Sequence, residues 1–319
     1  MIGVCIVTYN QEKYIAQAIE SVLNQQPCGH TVIAYIGEDH STDNTGAICD
    51  EFALKYPDQV VVCHNKTNLG LVNNTLTLLE RMQEDQCDYI AMLDGDDYWT
   101  DPFKLKKQID CFKDHPDCGL VHTAADTLFP QGLLIDDRTS FQYGNVFDII
   151  EKYDIGNCTV VFKADLLNMI DFNEFRNQHF MSVDYVMYAC FSSQVPFAYL
   201  SDHTAIWRRG HESVSNSKDM QREIAYIQND LAIWRYLAKR FPDRWKYDDS
   251  MGENYLHTRC FHVAFKHGDR KLALNEAKGI TEKDKKLRIK IIAAHSIVLF
   301  SLWRFSNICR GKIPLRTSI

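Results

Sequence analysis

The 319-residue chain is 45% hydrophobic and 24% charged, the balance of an ordinary soluble globular protein with a core large enough for one or two domains. Its formal charge of −7 is unevenly spread: residues 281–319 hold nine Lys and Arg against two acidic residues, and residues 1–280 carry −14. Such an acidic body repels phosphate backbones, which excludes nucleic-acid binding by it.

Met1 leads almost at once into the apolar run Gly3–Val7, with no basic segment or cleavage site, so no secretory leader is expected. The eleven cysteines form no C-x-x-C pair and no Cys/His ligand spacing, and several, such as Cys5 and Cys63, sit inside apolar runs. The pattern predicts reduced thiols and a cytoplasmic location.

The first 125 residues alternate strands with helices. A strand over 3–8 precedes a helix over 11–25, with Tyr14, Ile15, Ala18, Ile19, Val22 and Leu23 on one face. A strand over 31–37 ends at Glu38-Asp39, and Ser41-Thr42-Asp43 opens a helix stopped by Pro57. A strand over 59–63 leads to Asn68-Leu69-Gly70 and a helix carrying Leu71, Leu78, Leu79 and Met82. The apolar run Tyr89–Leu93 is strand-length and ends at Asp94-Gly95-Asp96-Asp97. Pro102 opens a helix with Leu105, Ile109 and Phe112, and a strand over 119–124 closes the series. Residues 126–216 are less regular, with a strand over 159–163, a helix over 185–191 after Ser182-Val183-Asp184, a strand over 197–200 and the polar run Trp207–Ser213. Helices then follow from Asp219, with others over 251–267, 269–278 and 283–308.

This order predicts an α/β fold, a mostly parallel sheet with helices on both faces, followed by a helical C-terminal region over 217–319. Ligands in such sheets bind beyond the carboxyl ends of the strands. There the sequence places Thr8-Tyr9-Asn10, Glu38-Asp39, His64-Asn65 and Asp94–Asp97. Three crowded carboxylates repel one another unless a cation sits among them, and Mg²⁺ or Mn²⁺ shared with a phosphate fits that need. A solvated acidic turn ahead of the next helix is the alternative. Neither G-x-G-x-x-G nor G-x-x-x-x-G-K-[ST] occurs, which disfavours a dinucleotide Rossmann domain and a P-loop NTPase.

Five pieces in this order, Ile6–Asn10, Glu38–Asp43, Asn68–Gly70, Asp94–Trp99 and Asp101-Pro102 with Lys104-Leu105 and Gln108, resemble the family 2 glycosyltransferases. These are inverting enzymes of the GT-A fold that use nucleotide-sugar donors. The resemblance covers roughly residues 1–215 and implies a catalytic domain over 1–216, with a donor half (1–125) and an acceptor half (126–216). It implies that Thr8, Tyr9 and Asp39 hold the base and ribose, with Asn10 beside them. Asn68, Gly70 and Asn74 line the donor pocket, and Asp94 and Asp96 lie near the ribose or metal. Asp96 and Asp97 hold the divalent cation. Arg208 and His211 meet the diphosphate, and Asn157 and Thr159 line the acceptor pocket. The catalytic base is Asp184, with His179, Asp171 and Glu174 as competitors. Simpler roles stand beside these: helix capping for Thr8, Asn10 and Asp184, packing for Tyr9, a tight turn for Gly70, and solvated positions for Asn74, Arg208 and His211. Two departures are Glu38, where the family usually has Asp, and His40, where it usually has Gly.

The implied reaction moves a sugar to a hydroxyl of a glycan or lipid-linked acceptor, in surface polysaccharide biosynthesis. A nucleotidyltransferase of related fold, or a binding subunit without catalysis, are the alternatives. Residues 291–305 are apolar but shorter than the ~20 needed to span a bilayer. With basic residues on both sides, the 283–316 segment reads as a peripheral contact on the inner face of an anionic membrane, or as a helix packed on protein.

Overall fold

The computed structural model describes residues 1–135, 143–145, 155–209, 219–245 and 247–309. The chain divides into two compact units, residues 1–211 and 212–319.

The first unit is built on one mixed sheet. Strands β1 (Ile2–Thr8), β2 (Val32–Glu38), β3 (Val60–His64) and β4 (Tyr89–Asp94) are parallel, in the order β3-β2-β1-β4. They are joined by α1 (Ile15–Leu23), α2 (Thr45–Lys55) and α3 (Gly70–Glu84). The chain winds outward from β1 to β3 and then crosses back to β4, so the strand order reverses between β1 and β4. A crevice opens at such a reversal. The pairing Val7↔Asp94 puts the end of β1 beside the acidic cluster. The sheet continues through β9, β6 and β10 to the short β5 (Tyr98–Trp99), with α4 (Lys104–Asp114) between β5 and β6. Here β6 is Leu120–Phe129, β9 is Val161–Lys163 and β10 is Phe197–Arg208, while β7 (Gly132–Leu134) pairs with β6 and β8 (Tyr143–Gly144) with β10. Two helices complete the unit, α5 (Phe172–Asn177) and α6 (Asp184–Ser192).

Burial explains the order. All seven residues of β1 are buried, as expected of a strand covered by helices on both faces. Ile15, Ala18, Ile19 and Val22 of α1 pack on one face with Leu105, Ile109 and Phe112 of α4. The structure also corrects several boundaries. Residues 11–14 form a turn before α1, with Tyr14 N–H bonded to the Gln11 carbonyl at 2.9 Å. The segment 157–159 is a single 3-10 turn, and its strand starts only at Val161. β10 runs eight residues past the expected end at Leu200, because register shifts between Leu200 and Ala205 absorb the polar Ser201–His203.

The second unit is helical: α7 (Met220–Arg240), α8 (Asp249–His267), α9 (Arg270–Gly279), α10 (Lys285–His295) and α11 (Ile297–Cys309). An aspartate caps each of the first four, Asp219, Asp248, Asp269 and Asp284, accepting a first-turn N–H. Each such cap is worth about 1 kcal/mol. Phe261, Phe265, Ala273, Leu287 and Phe300 share one apolar core. The single helix expected over 283–308 is broken at Ser296, whose backbone is extended. Among the described residues no helix is long and apolar enough to cross a membrane.

Candidate active site

The turns after β1 and β2 are tied together at the crevice. Asn10 N–H donates to Ser41 Oγ, Asn10 Oδ1 accepts from Thr42 N–H, and Gln11 N–H donates to Thr45 Oγ1, at 2.8–3.0 Å. Thr8 is buried and donates to Gln11 Oε1 at 2.8 Å. Neither Thr8 nor Asn10 caps α1, which has no side-chain cap. Tyr9 is 45% exposed, its ring displayed at the mouth rather than packed inside.

Asp39 organises the loop before α3. Oδ1 accepts from Asn65 Nδ2 (2.9 Å) and Leu69 N–H (2.8 Å), and Oδ2 accepts from Gly70 N–H (2.9 Å). A carboxylate has about four acceptor positions, and three are taken in this buried side chain. Gly70 has φ +78°, a left-handed conformation that glycine adopts without strain, and Asn68 Oδ1 accepts its N–H. Asn74 is neither solvated nor open to a pocket. It is buried, donates to the Gly37 carbonyl at 2.8 Å and accepts from Asn65 at 2.9 Å, which locks α3 to β2. Glu38 accepts from Ser41 N–H (2.7 Å) and pairs with His64 (3.2 Å), which pairs in turn with Asp50 (2.8 Å). Burial alone would push the Glu38 carboxyl up, but these bonds outweigh it and hold it below the usual range. His40 adopts φ +61°, a backbone state that costs a non-glycine residue about 1–2 kcal/mol.

The acidic mouth follows. Gly95 admits no side chain, since a Cβ there would lie 2.5 Å from Gln11 Oε1 and 2.9 Å from the Thr8 side chain. Asp94 is half-buried, and its carboxyl is pushed up to about 7 by burial first and then by the charges of Asp96 and Asp184. Asp97 is buried. Burial and the charges of Asp94 and Asp96 raise its carboxyl too, while Arg208 N–H (2.8 Å) and the Cys158 thiol oppose them. Asp97 thus anchors β10 to the mouth. Arg208 bonds the Asp96 carbonyl and Gln17 Oε1, and its guanidinium lies between the rings of Tyr98 (4.4 Å) and Tyr14 (5.1 Å). His211 lies outside the described residues.

Asp184 opens α6, where burial raises its carboxyl and the Tyr185 N–H and Ser182 oppose the rise. Its charge is among those felt at Asp94. The rival candidates have other work: Asp171 caps α5 through the Glu174 N–H (2.9 Å), Glu174 lies in its first turn, and His179 is exposed at φ +55°. Thr159 is buried; its hydroxyl donates to the Gly156 carbonyl at 2.6 Å. Sequence reasoning missed Tyr188, which donates to Asn157 Oδ1 at 2.7 Å while Asn157 Nδ2 donates to Asp94 Oδ1 at 3.2 Å. Its spacing of four from Asp184 was the available signal.

Among the described residues no three His, Cys, Asp or Glu side chains gather as a ready cage for a metal ion. The carboxylates nonetheless fit a hard cation that takes one or two protein oxygens and shares the rest with phosphate. The charges of Asp96 and Asp184 oppose ionisation of Asp94, and among the described residues no cation is paired with its carboxyl. A divalent ion reverses that repulsion.

The sequence model of glycosyl transferase family 2 matches residues 3–167. The dTDP-rhamnosyl transferase RfbG of Shigella flexneri is 30% identical over 174 residues, covering 53% of this chain and 57% of that protein. Putative glycosyltransferase EpsE of Bacillus subtilis is 34% identical over 122 residues, 38% of this chain and 42% of that protein. The uncharacterized protein Rv1520 of Mycobacterium tuberculosis is 33% identical over 126 residues, 40% and 35%. The alignment thus spans 35–57% of the length of these three relatives. Among solved structures, S. aureus TarS 1-349 in complex with UDP-GlcNAc superposes with a TM-score of 0.58 at 14% identity, over 98% of this chain and 93% of that one. Mannosyltransferase PcManGT from Pyrobaculum calidifontis, in complex with GDP-Man and Mn²⁺, gives 0.56 at 16% identity, over 95% and 86%. At that identity the likeness is one of fold, and the fold is the GT-A arrangement.

Proposed function

The chain belongs to glycosyl transferase family 2, and on that premise we propose that it is an inverting, metal-dependent glycosyltransferase that moves one sugar from a nucleoside diphosphate to a hydroxyl. The observation that carries the reading is the Asp184 carboxyl at the head of α6, one turn before Tyr188, which reaches Asp94 of the acidic mouth through Asn157.

In this reading Tyr9 stacks on the base, and Asp39 accepts from a base or ribose donor. Asn10, Asn68 and Gly70 shape the same rim, with Asn74 fixing the loop from behind. Arg208 sets a guanidinium beside the mouth, and Asp94 faces the ribose. A divalent cation, Mg²⁺ or Mn²⁺, held by Asp96 with Asp97 behind it, would neutralise the charge that gathers on the departing diphosphate. The acceptor oxygen attacks the anomeric carbon from the face opposite the diphosphate. Its bond to that carbon forms as the carbon–phosphate oxygen bond breaks, with inversion, and Asp184 takes the hydroxyl proton. A carboxyl raised by burial suits a group that must hold that proton. The TarS complex with UDP-GlcNAc and the PcManGT complex with GDP-Man support a nucleotide-sugar donor. The dTDP-rhamnosyl transferase RfbG supports transfer of a sugar, and a putative teichuronic acid biosynthesis glycosyltransferase of Bacillus subtilis supports a glycan acceptor, which in this reading is a polysaccharide or its lipid-linked precursor.

A lipid-linked acceptor calls for contact with the membrane, and α10 and α11 offer a surface for it. Ile289, Ile292, Ile297, Val298, Leu299, Leu302 and Phe305 are all exposed within seventeen residues. Lys285, Lys286 and Arg288 are exposed beside them, and no acidic residue follows Asp284. An apolar face edged by cations suits the interface of an anionic bilayer.

Thermal-shift screening of UDP, GDP and dTDP with and without Mn²⁺ tests the donor site: a matching nucleotide at 100 times its dissociation constant stabilises by about 2.7 kcal/mol. Asp184→Asn should keep nucleotide affinity and lower turnover about 10²–10⁴-fold. Turnover within about tenfold of the wild type would remove the base assignment.

A further inference from the structure

The 156–159 turn is gripped by donors from the segment that follows the acidic mouth. Trp99 Nε1 donates to the Cys158 carbonyl at 2.8 Å, and Lys104 Nζ (3.0 Å) and Gln108 Nε2 (2.9 Å) both donate to the Thr159 carbonyl. Met92 N–H takes the Val160 carbonyl at 3.0 Å. Lys104 and Gln108 are wholly buried and bonded to each other at 2.6 Å, and the Lys104 ammonium lies 4.7 Å from the centre of the Trp99 ring. Enclosing an ammonium without a carboxylate bond is costly. The clamp around it fixes one short turn.

That turn presents Asn157. The phenol of Tyr188 donates to Asn157 Oδ1 and Asn157 Nδ2 donates to Asp94. The two bonds fix the amide in one orientation, because only its oxygen accepts and only its nitrogen donates. Tyr188 is buried one helical turn beyond Asp184, on the same face of α6. A continuous path of side chains therefore joins the helix bearing the base to the carboxylates of the donor site: Tyr188, Asn157, Asp94.

We propose that Asn157 is a positioning residue: bridging Tyr188 and Asp94, it sets the base helix at a fixed distance from the acidic mouth, while Trp99, Lys104 and Gln108 hold its turn. The inference rests on the transferase reading above. Displacement requires the attacking oxygen, the anomeric carbon and the leaving phosphate in line, and a misplacement of about 1 Å costs about 10²-fold in rate. The bridge ends on Asp94, whose backbone is held independently by the pairing of β4 with β1, so losing the bridge frees the base helix rather than the donor rim. Its loss therefore appears in kcat and leaves donor KM in place.

The test follows release of nucleoside diphosphate from UDP-, GDP- and dTDP-sugars with Mn²⁺ and uses whichever donor the wild type turns over. Asn157→Ala, Tyr188→Phe and the double variant are compared on it, with circular dichroism confirming the fold. Each single variant should lower kcat about tenfold or more with donor KM within about threefold, and the double variant should be no slower than Asn157→Ala alone, because the two act as one unit. Both single variants within about twofold of wild-type kcat, a loss confined to KM, or losses that multiply would overturn the inference alone. A wild-type chain that releases nucleoside diphosphate from none of the donors would remove the transferase reading and this inference with it.

Discussion

Asp94→Asn should make the protein more stable while disabling its donor site. The Asp94 carboxyl stands at about 7 against an ordinary 3.8, through burial and the charges of Asp96 and Asp184. The folded chain therefore holds this proton more tightly than the unfolded chain. The stability it contributes is complete below about pH 4 and is lost as pH rises through about 7. The gap corresponds to a ceiling of about 4 kcal/mol above pH 7, and partial exposure of the residue reduces the figure to about 2 kcal/mol. Asparagine cannot ionise, and its oxygen still accepts the Asn157 N–H, so the variant keeps the bridge without the charge. Melting temperatures at pH 5 and pH 8 measure the effect. The variant should gain about 4 °C over wild type at pH 8 and distinctly less at pH 5. Added Mn²⁺ should raise the wild type at pH 8 more than the variant, since a cation relieves the same repulsion. An equal gain at both pH values, or a variant less stable than wild type at pH 8, would refute the account of a carboxylate cluster awaiting a cation.

Other consequences are as direct. Gly95→Ala drives a Cβ to 2.5 Å from Gln11 Oε1 and should destabilise by about 1–3 kcal/mol in urea unfolding; an unchanged midpoint would mean that the post-β1 turn yields freely. His40→Gly relieves a left-handed backbone and should stabilise by about 0.5–1 kcal/mol, since glycine's greater unfolded-state freedom takes back part of the relief; a lower urea midpoint would show that the His40 side chain makes a contact worth more than the strain. In flotation assays the intact chain should rise with phosphatidylglycerol vesicles and not with phosphatidylcholine. Replacing Ile292, Leu302 and Phe305 together by Ser should abolish that binding, and equal flotation of variant and wild type would exclude the α10–α11 face.

The parallel half of the sheet was legible because period and punctuation agreed. β1 to β4 are apolar runs ended by polar residues, and Pro57 and Pro102 stand at helix boundaries. Beyond residue 125 pairing depends on partners remote in sequence. β5 is two residues long and exists because Tyr98 and Trp99 pair with Ala205 and Ile206, which no local pattern announces. The polar Ser201–His203 broke the apolar run that would have revealed the whole of β10. The site divides in the same way. The acidic mouth and Asp184 were visible because several carboxylates at strand and helix ends are chemically unusual whatever their neighbours.

The direction each polar group faces was not visible, because loop geometry decides it. Asp39 looks like an open acceptor but takes three N–H groups from the 65–70 loop. Asn74 reads as a residue of the donor pocket or of a solvated helix face and is a buried clamp. Lys104 and Gln108 entered the reading only as a resemblance, and the fold gives it a physical cause. The segment after the acidic mouth turns back beneath it and holds the 156–159 turn from below. Residues of the segment just after the mouth thereby fix a turn more than fifty positions further along the chain. A substitution at Lys104, remote from any substrate in sequence terms, should therefore disturb the placement of Asn157 before it disturbs nucleotide binding.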